Sequence, residues 1–329
     1  ATGRFVGRVP AGLHSPRLTR LLLEPSPVLQ SATPRASSLD WRASFGAYVR
    51  LTKPRVIELL LVTSVPPMML AAGGFPAGRL LAAVLIGGAL AAGGANTINC
   101  WVERDSDQLM KRTHDRPLPA GEVVPSHALT FGIVLNVVAF AYLALAANLL
   151  AASLTITATL FYVFVYTIWL KPRTQQNIVI GGAAGAVPVL VGWAAVRGDV
   201  GAPAWILFAV VFFWTPAHFW ALAFKYRDDY ARAGIPMLPV LRSPAETGRQ
   251  ITAYAVMTAA VTLTLGVVTH VSLFYVVVAA VLGLAFVVQA VQLARDVSPT
   301  AAIRFFGYSN VYLLLVFAAV AVDALITGR

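Results

Sequence analysis

The sequence is poor in charge. Of its 329 residues only 12% are Asp, Glu, Lys or Arg, against 58% hydrophobic, where a soluble domain carries about 25% charged residues. So little charge cannot cover a water-soluble globule of this length, whereas a surface facing lipid needs none. Cysteine is scarcer still, with Cys100 alone. That excludes a disulfide within the chain and is too little for a structural zinc site. Acidic residues are outnumbered 14 to 25, for a net charge of +11. The excess is sorted between loops rather than spread along the chain, which reads as membrane topology and not as nucleic-acid binding.

Residues 1 to about 45 stand apart, with Arg4, Arg8, Arg17, Arg20, Arg35 and Arg42 against Glu24 and Asp40. Pro10, Pro16, Pro25, Pro27 and Pro34 break any long helix there. The run Leu21 to Leu23 is too short for the apolar core of a secretory signal. The segment reads as a disordered basic extension. Its Arg-rich, acid-poor make-up also fits an organelle transit peptide.

From Val56 onward apolar runs recur, each near the roughly 20 residues that cross about 30 Å of hydrocarbon as a helix. The expected spans are Val56–Gly73, Leu80–Thr97, His127–Ala147, Ala151–Leu170, Ile178–Val196, Ala204–Ala223, Ile251–Thr269, Phe274–Leu293 and Phe306–Ile326. The fold class is therefore all-α, a polytopic bundle of nine transmembrane helices over residues 46–329. The third and fourth spans form a tight hairpin at Asn148, and Pro66, Pro67, Pro188 and Pro216 are expected to kink their helices. Thirteen of the 25 Lys and Arg fall in the loops after even-numbered spans, three in the odd loops and the C-terminus, and nine before Val56. The positive-inside rule then puts the N-terminus and the even loops in the cytoplasm.

The acids sort the same way. Five of the 14 lie in Glu103–Glu122 and three in Asp228–Glu246. Basic loops are expected of any membrane protein; acids concentrated beside them are not. Asn99, Glu103 and Asp107 recur every four residues at the end of the second span, so a continuing helix carries them as one stripe of oxygen ligands, with Asp105 on another face. Oxygen-only ligands with few carboxylates suit Mg²⁺ that shares its shell with phosphate. Arg112 and Arg116 suit phosphate oxygens. In the second cluster His218, Lys225 and Asp229 fall close together on a helical projection, although Lys225 and Asp229 also read as a plain i,i+4 ion pair. His218 lies among Trp214, Phe219 and Trp220, a setting in which a histidine is more often a buried hydrogen-bonding residue than a ligand. Together the clusters make a site for metal-bridged diphosphate above an apolar cavity.

At these residues the chain resembles the UbiA superfamily of intramembrane prenyltransferases, whose first signature is Asn, then Asp or Glu four residues on, then Asp four further. Within it, four stretches resemble the haem O synthase branch, the protohaem IX farnesyltransferases. They are Lys111–Gly121, Leu170–Gly182, Pro216-Ala-His-Phe-Trp220 and Asp228–Pro239. Two departures stand out. The second motif is Lys225-x-x-Asp228-Asp229-Tyr230 in place of Asp-x-x-x-Asp, and Ala217 stands where the family often has His. The resemblance implies transfer of a farnesyl group from farnesyl diphosphate to the vinyl group of haem b, giving haem O and pyrophosphate. It implies Mg²⁺ at Asn99, Glu103, Asp107, Asp228 and Asp229. It implies substrate contacts from Arg112, Arg116, Lys171, Asn177, Lys225, Arg227 and Asp228, and a haem-iron or proton-handling role for His218. A downstream haem-modifying or oxidase-assembly protein is an expected partner. The expected home is a bacterial cell membrane, with the mitochondrial inner membrane as second choice. The competing readings are a prenyltransferase acting on a quinone precursor or another aromatic acceptor, and a secondary transporter, whose intramembrane acids would sit near mid-span.

Overall fold

A computed structural model describes residues 41–269, 271–296 and 298–328. The basic extension expected over residues 1–45 thus lies outside the described residues up to residue 40. The boundary expected at residue 45 falls inside a helix, Trp41–Thr52. This helix buries Ala47 and Leu51 and leaves Trp41, Phe45 and Val49 exposed at i, i+4 and i+8, one apolar stripe on one helix face.

Among the described residues there is no strand, and nine helices are long and apolar enough to cross a membrane. Numbered first to ninth in chain order, these spans are Pro54–Ala72, Gly78–Asp107, Pro125–Ala146, Leu149–Leu170, Asn177–Arg197, Ala202–Lys225, Pro244–Val268, Leu273–Arg295 and Pro299–Thr327. Their number and order are those expected, and large apolar side chains such as Val137, Leu160, Val281 and Leu284 are exposed as a lipid-facing surface requires. Several spans extend beyond the apolar run that reveals them. The third, seventh and ninth open on Pro125, Pro244 and Pro299, whose missing N–H costs nothing in a first turn. Ser243 and Ser298 cap the last two through their hydroxyls. The second span runs on past Thr97 to Asp107, because no Gly or Pro interrupts the polar stretch after the apolar one.

The first span is broken. It consists of helices Pro54–Val62 and Val65–Ala72, joined at Thr63–Ser64 where Pro66 and Pro67 withdraw backbone donors. The two halves have different surroundings. The second half packs against the fifth and ninth spans and buries Pro66, Pro67, Met68 and Met69. The first half has no buried residue at all. Where the break meets the fifth span, a Cβ at Gly192 would lie 2.2 Å from the Ser64 carbonyl oxygen; only glycine admits so close a backbone. Pro188 and Pro216 lie inside helices that continue through them.

The Asn148 hairpin is as short as expected. Asn148 caps the fourth span by accepting from the Ala151 N–H at 2.8 Å, and its Nδ2 donates to the Ala194 carbonyl at 2.8 Å, tying the turn to the fifth span. The fourth span itself changes pitch. Leu149–Leu160 is α-helical and Phe161–Leu170 is a ten-residue π-helix, far longer than the single π turn that helices usually hold.

The second span packs on the third, and the fifth to ninth enclose one large apolar core that includes Trp220, Tyr275, Phe286, Tyr312 and Phe317. Between the first, second, fourth and fifth spans lies a cavity of about 200 Å³, lined by Leu60, Val84, Ala91, Tyr162, Gly185 and Val191 among others.

The glycine geometry makes a direct prediction. Gly192→Ala should destabilise the protein by about 1–3 kcal/mol, the usual cost of overpacking, because backbone must shift. Gly185→Ala should not, since its Cβ would meet nothing within 4 Å. Thermal unfolding in detergent checks both; equal midpoints for the two variants would refute the close approach at Ser64.

Candidate active site

The stripe read from spacing is present. Asn99, Glu103 and Asp107 share the last two turns of the second span and are 2%, 8% and 0% exposed, whereas Asp105 points outward and pairs with Arg104. Buried acids at a membrane face need neutralising, and each has its own cation. Glu103 is ion-paired with Lys171, which follows the π-helix directly. Asp107 accepts from the Arg116 guanidinium at 2.7 Å. The chain folds back to allow this second pair: the Thr113 hydroxyl donates to the Asp107 main-chain carbonyl at 3.0 Å. Burial is the largest single influence on Lys171 and disfavours its ammonium, but the Glu103 charge and hydrogen bond together with Tyr166 and Tyr230 lift the Lys171 pKa above the ordinary lysine value. Burial opposes Arg116 in the same way, and Asp107 raises it.

Asn99 is held at both ends of its amide. Its Nδ2 donates to the Thr167 hydroxyl at 3.1 Å, and Thr167 donates to the Tyr162 carbonyl at 2.8 Å, five residues back along the π-helix. Its Oδ1 accepts from Lys53 Nζ at 2.7 Å. Burial holds the Lys53 ammonium below its usual pKa. Lys53, Thr167 and Tyr162 are not among the residues that spacing singles out. The available signal for Lys53 is its place immediately before Pro54, at the mouth of the first span.

The second cluster comes to the first through Asp229. This buried carboxylate accepts from the Arg112 backbone N–H at 3.2 Å and is ion-paired with Arg232. The loops after the second and sixth spans therefore meet on one face. The expected helical stripe His218–Lys225–Asp229 does not form. The sixth span ends at Lys225, Tyr226 leaves helical geometry at φ −103, ψ 24, and Asp229 belongs to a separate short helix, Arg227–Arg232. Lys225 is exposed and lies over the Tyr226 ring, as does Arg112. Arg227 and Asp228 are exposed, and so is His114, as its sequence setting predicts. Asn177, at the start of the fifth span, is wholly buried; its Nδ2 donates to the Thr174 carbonyl at 2.6 Å while its Oδ1 has no partner.

His218 occupies a different environment. Its ring is stacked between Trp214 and Phe306 at 4.1 and 4.4 Å between centroids, and its Nδ1 is 2.7 Å from the Ser309 hydroxyl. Ser309 donates its own proton to the Phe306 carbonyl at 2.7 Å. Nδ1 is then the protonated nitrogen, and the lone pair is left on Nε2. The hydrogen bond and both ring contacts are to uncharged groups.

The donors at the second span's end are all oxygens. Asp107 Oδ1 is buried with no hydrogen-bond partner, a lone pair facing the protein interior. Among the described residues no three of His, Cys, Asp and Glu converge on one point, so an ion here would take one or two carboxylates and the Asn99 carbonyl, and the rest of its shell from a ligand. That is the binding habit of Mg²⁺, and the residues present fit it. The apolar cavity reaches this site from below. Asn96, one turn before Asn99, and Tyr162, whose carbonyl holds Thr167, both line it.

Comparison with known proteins agrees with this arrangement. Residues 59–318 match the UbiA prenyltransferase family. A protein named protoheme IX farnesyltransferase from Salinispora tropica is 52% identical over 88% of this chain and 92% of its own length. One named protoheme IX farnesyltransferase 1 from Saccharopolyspora erythraea is 54% identical over 86% of this chain and 91% of its own. Among solved structures, a digeranylgeranylglyceryl phosphate synthase aligns at a TM-score of 0.72 with 16% identity, over 86% of this chain and 99% of that one. A UbiA homologue from Archaeoglobus fulgidus bound to DMAPP and Mg²⁺ aligns at 0.62 with 18% identity, over 84% of this chain and 99% of that one; at such identities these two show the fold alone. The chain is an integral, multi-pass membrane enzyme and belongs to the UbiA prenyltransferase family.

Proposed function

We propose that the enzyme transfers the farnesyl group of farnesyl diphosphate to a vinyl group of haem b, giving haem O and pyrophosphate. The observation that carries this reading is the buried Asn99–Glu103–Asp107 stripe at the head of an apolar cavity, with the loop that follows it joined to buried Asp229 through the Arg112 N–H. The names of relatives about half identical over most of their length support haem as the acceptor. The diphosphate sits at the cytoplasmic face and the fifteen-carbon tail runs down between the first, second, fourth and fifth spans.

In the reaction the C1–O bond of farnesyl diphosphate breaks and its electron pair leaves with the diphosphate. The vinyl π pair of haem forms the new C–C bond. The cation left on the haem side is taken by water, which gives up a proton, so that farnesyl diphosphate, haem b and water yield haem O and pyrophosphate. Asn99, Glu103 and Asp107 on one side and Asp229 on the other, with Asp228 at the rim, would hold Mg²⁺, one or two carboxylates to an ion, and the metal would supply charge neutralisation at the departing diphosphate. Lys171 and Arg116, now on the carboxylates, are placed to turn toward phosphate oxygens. Arg112, Lys225 and Arg227 lie at the exposed rim, where they suit diphosphate or haem propionates. The buried, unpartnered Asn177 Oδ1 at the start of the fifth span is a further acceptor for a substrate donor. The apolar walls keep water from the allylic cation until the C–C bond has formed. His218 serves haem and not diphosphate, because its neighbours are aromatic and uncharged and its free Nε2 is the nitrogen that can bind iron or accept a proton. The enzyme resides in the bacterial cell membrane with its N-terminus cytoplasmic, the orientation that the loop charges support. Its product passes to a haem-modifying or oxidase-assembly protein.

The primary test is an assay of the purified protein with haem b and farnesyl diphosphate, read as product mass. Glu103→Gln and Asp107→Asn should each lower turnover about 100-fold or more while the protein still purifies folded; near-normal Mg²⁺-dependent activity in both would sink the metal stripe. With Cys100 replaced, single cysteines placed beside Arg116 and in the Asp228–Pro239 loop should label from the same, cytoplasmic side of oriented vesicles. Opposite labelling would overturn the topology. His218→Ala should change the haem Soret band and leave farnesyl diphosphate affinity near wild type. The reverse pattern would move His218 to the other substrate.

A further inference from the structure

Lys53 differs from the other cations of the site in two ways. Lys171, Arg116 and Arg232 each pair with a carboxylate, whereas the hydrogen-bond acceptor of Lys53 is the neutral Asn99 amide oxygen. It is also the one non-glycine among the described residues with positive φ, at φ 56, ψ 65. An L-residue adopts the left-handed region only at a cost in energy, and a lysine at the end of a membrane span ordinarily extends toward interfacial water. Here the backbone is turned so that the ammonium enters the site. The amide that receives it is fixed, because Thr167 holds Asn99 Nδ2 and a lysine can only donate. The ammonium therefore stands on an oxygen of the same stripe that is assigned to a divalent ion.

We infer that Lys53 is a placeholder cation: it occupies Asn99 Oδ1 in the resting enzyme, yields that oxygen to the metal, and turns onto the diphosphate that arrives with it. The inference rests on the proposed diphosphate site. With the ammonium in place, a metal on the same oxygen would stand within a few ångströms of a second cation and be repelled by it, so metal alone binds poorly. Metal and diphosphate together bind well, because the displaced ammonium gains a charged partner in place of a neutral one. The left-handed backbone is then the cost of a residue kept for its charge, since glycine would adopt the same φ freely.

The test uses the purified full-length protein with two probes, Mg²⁺ alone and inorganic pyrophosphate with Mg²⁺, each titrated by calorimetry in detergent. Lys53→Met should bind Mg²⁺ alone more tightly than wild type and Mg²⁺–pyrophosphate about 10- to 100-fold more weakly, the range lost with a hydrogen bond to a charged group. Lys53→Arg should retain much of the pyrophosphate affinity. Lys53→Gly should show the same opposite shifts as Lys53→Met, with a higher midpoint of thermal unfolding. Loss of both affinities in Lys53→Met and Lys53→Gly, or no change in either, makes Lys53 structural and overturns the inference. A wild-type protein that binds neither probe sinks the diphosphate site itself, and the placeholder role with it.

Discussion

A carboxylate at the end of a membrane helix cannot stay both buried and unpaired, and the rest of this structure is arranged round that constraint. Glu103, Asp107 and Asp229 are nearly sealed from solvent. Glu103 takes its partner from a distant span, Asp107 takes its own from the loop that follows it, and Asp229 from its own short helix while also meeting the distant Arg112 backbone N–H. Lys171 arrives from the end of the fourth span, Arg116 from the loop after the second and Arg232 from the loop after the sixth. The Asn99 carbonyl receives Lys53 from the head of the first span. Breaking such a pair by removing one partner leaves a buried charge uncompensated, at a typical cost of about 3–5 kcal/mol. The site thus fastens together elements that have little other reason to meet, and the same pairs that secure the fold hold the charges for a diphosphate.

The apolar half of the molecule obeys a different rule. Lipid is as apolar as a leucine side chain, so helices gain little by hiding hydrophobic surface from it; they gain by close contact. Gly192 against the Ser64 carbonyl and Gly181 against the Tyr166 ring are such contacts. Gly185 between them faces open space and lines the cavity. One glycine-rich span therefore both seals and hollows the interior. The broken first span does likewise, with one half packed against the ninth span and the other without a buried residue.

How much of this is legible in the sequence depends on the kind of signal that carries each part. The spans are legible because bilayer thickness fixes a length and hydropathy marks it; the extensions at Pro125, Pro244 and Pro299 are not, because they are polar. The Asn99–Glu103–Asp107 stripe is legible from four-residue spacing on a helix with no breaker. The same reasoning fails for Lys225 and Asp229, since nothing in Phe224-Lys-Tyr-Arg227 announces that the helix stops at Tyr226. Glycine and proline mark breaks that are local; this one accompanies a distant contact, Asp229 with the Arg112 backbone N–H. Which cation meets which acid is a tertiary matter, and so is the left-handed turn at Lys53, a conformation that its side chain disfavours. The aromatic stacking round His218 is foreshadowed by Trp214, but Phe306 and Ser309 lie about ninety residues away along the chain.

The π-helix sets the alignment between the fourth span and the site. Its bonds reach back five residues, as from the Lys171 N–H to the Tyr166 carbonyl at 2.8 Å. An α-helix advances about 100° per residue, so the wider winding of Phe161–Leu170 acts as a phase correction. It leaves Tyr162 on the cavity wall, Thr167 under Asn99 and Lys171 against Glu103. A chain of the same composition but one residue shorter here would close into ordinary α-helix and rotate everything beyond it by about a quarter turn. The length of this ten-residue segment, more than the identity of any one side chain in it, thus sets the angle at which Lys171 meets Glu103.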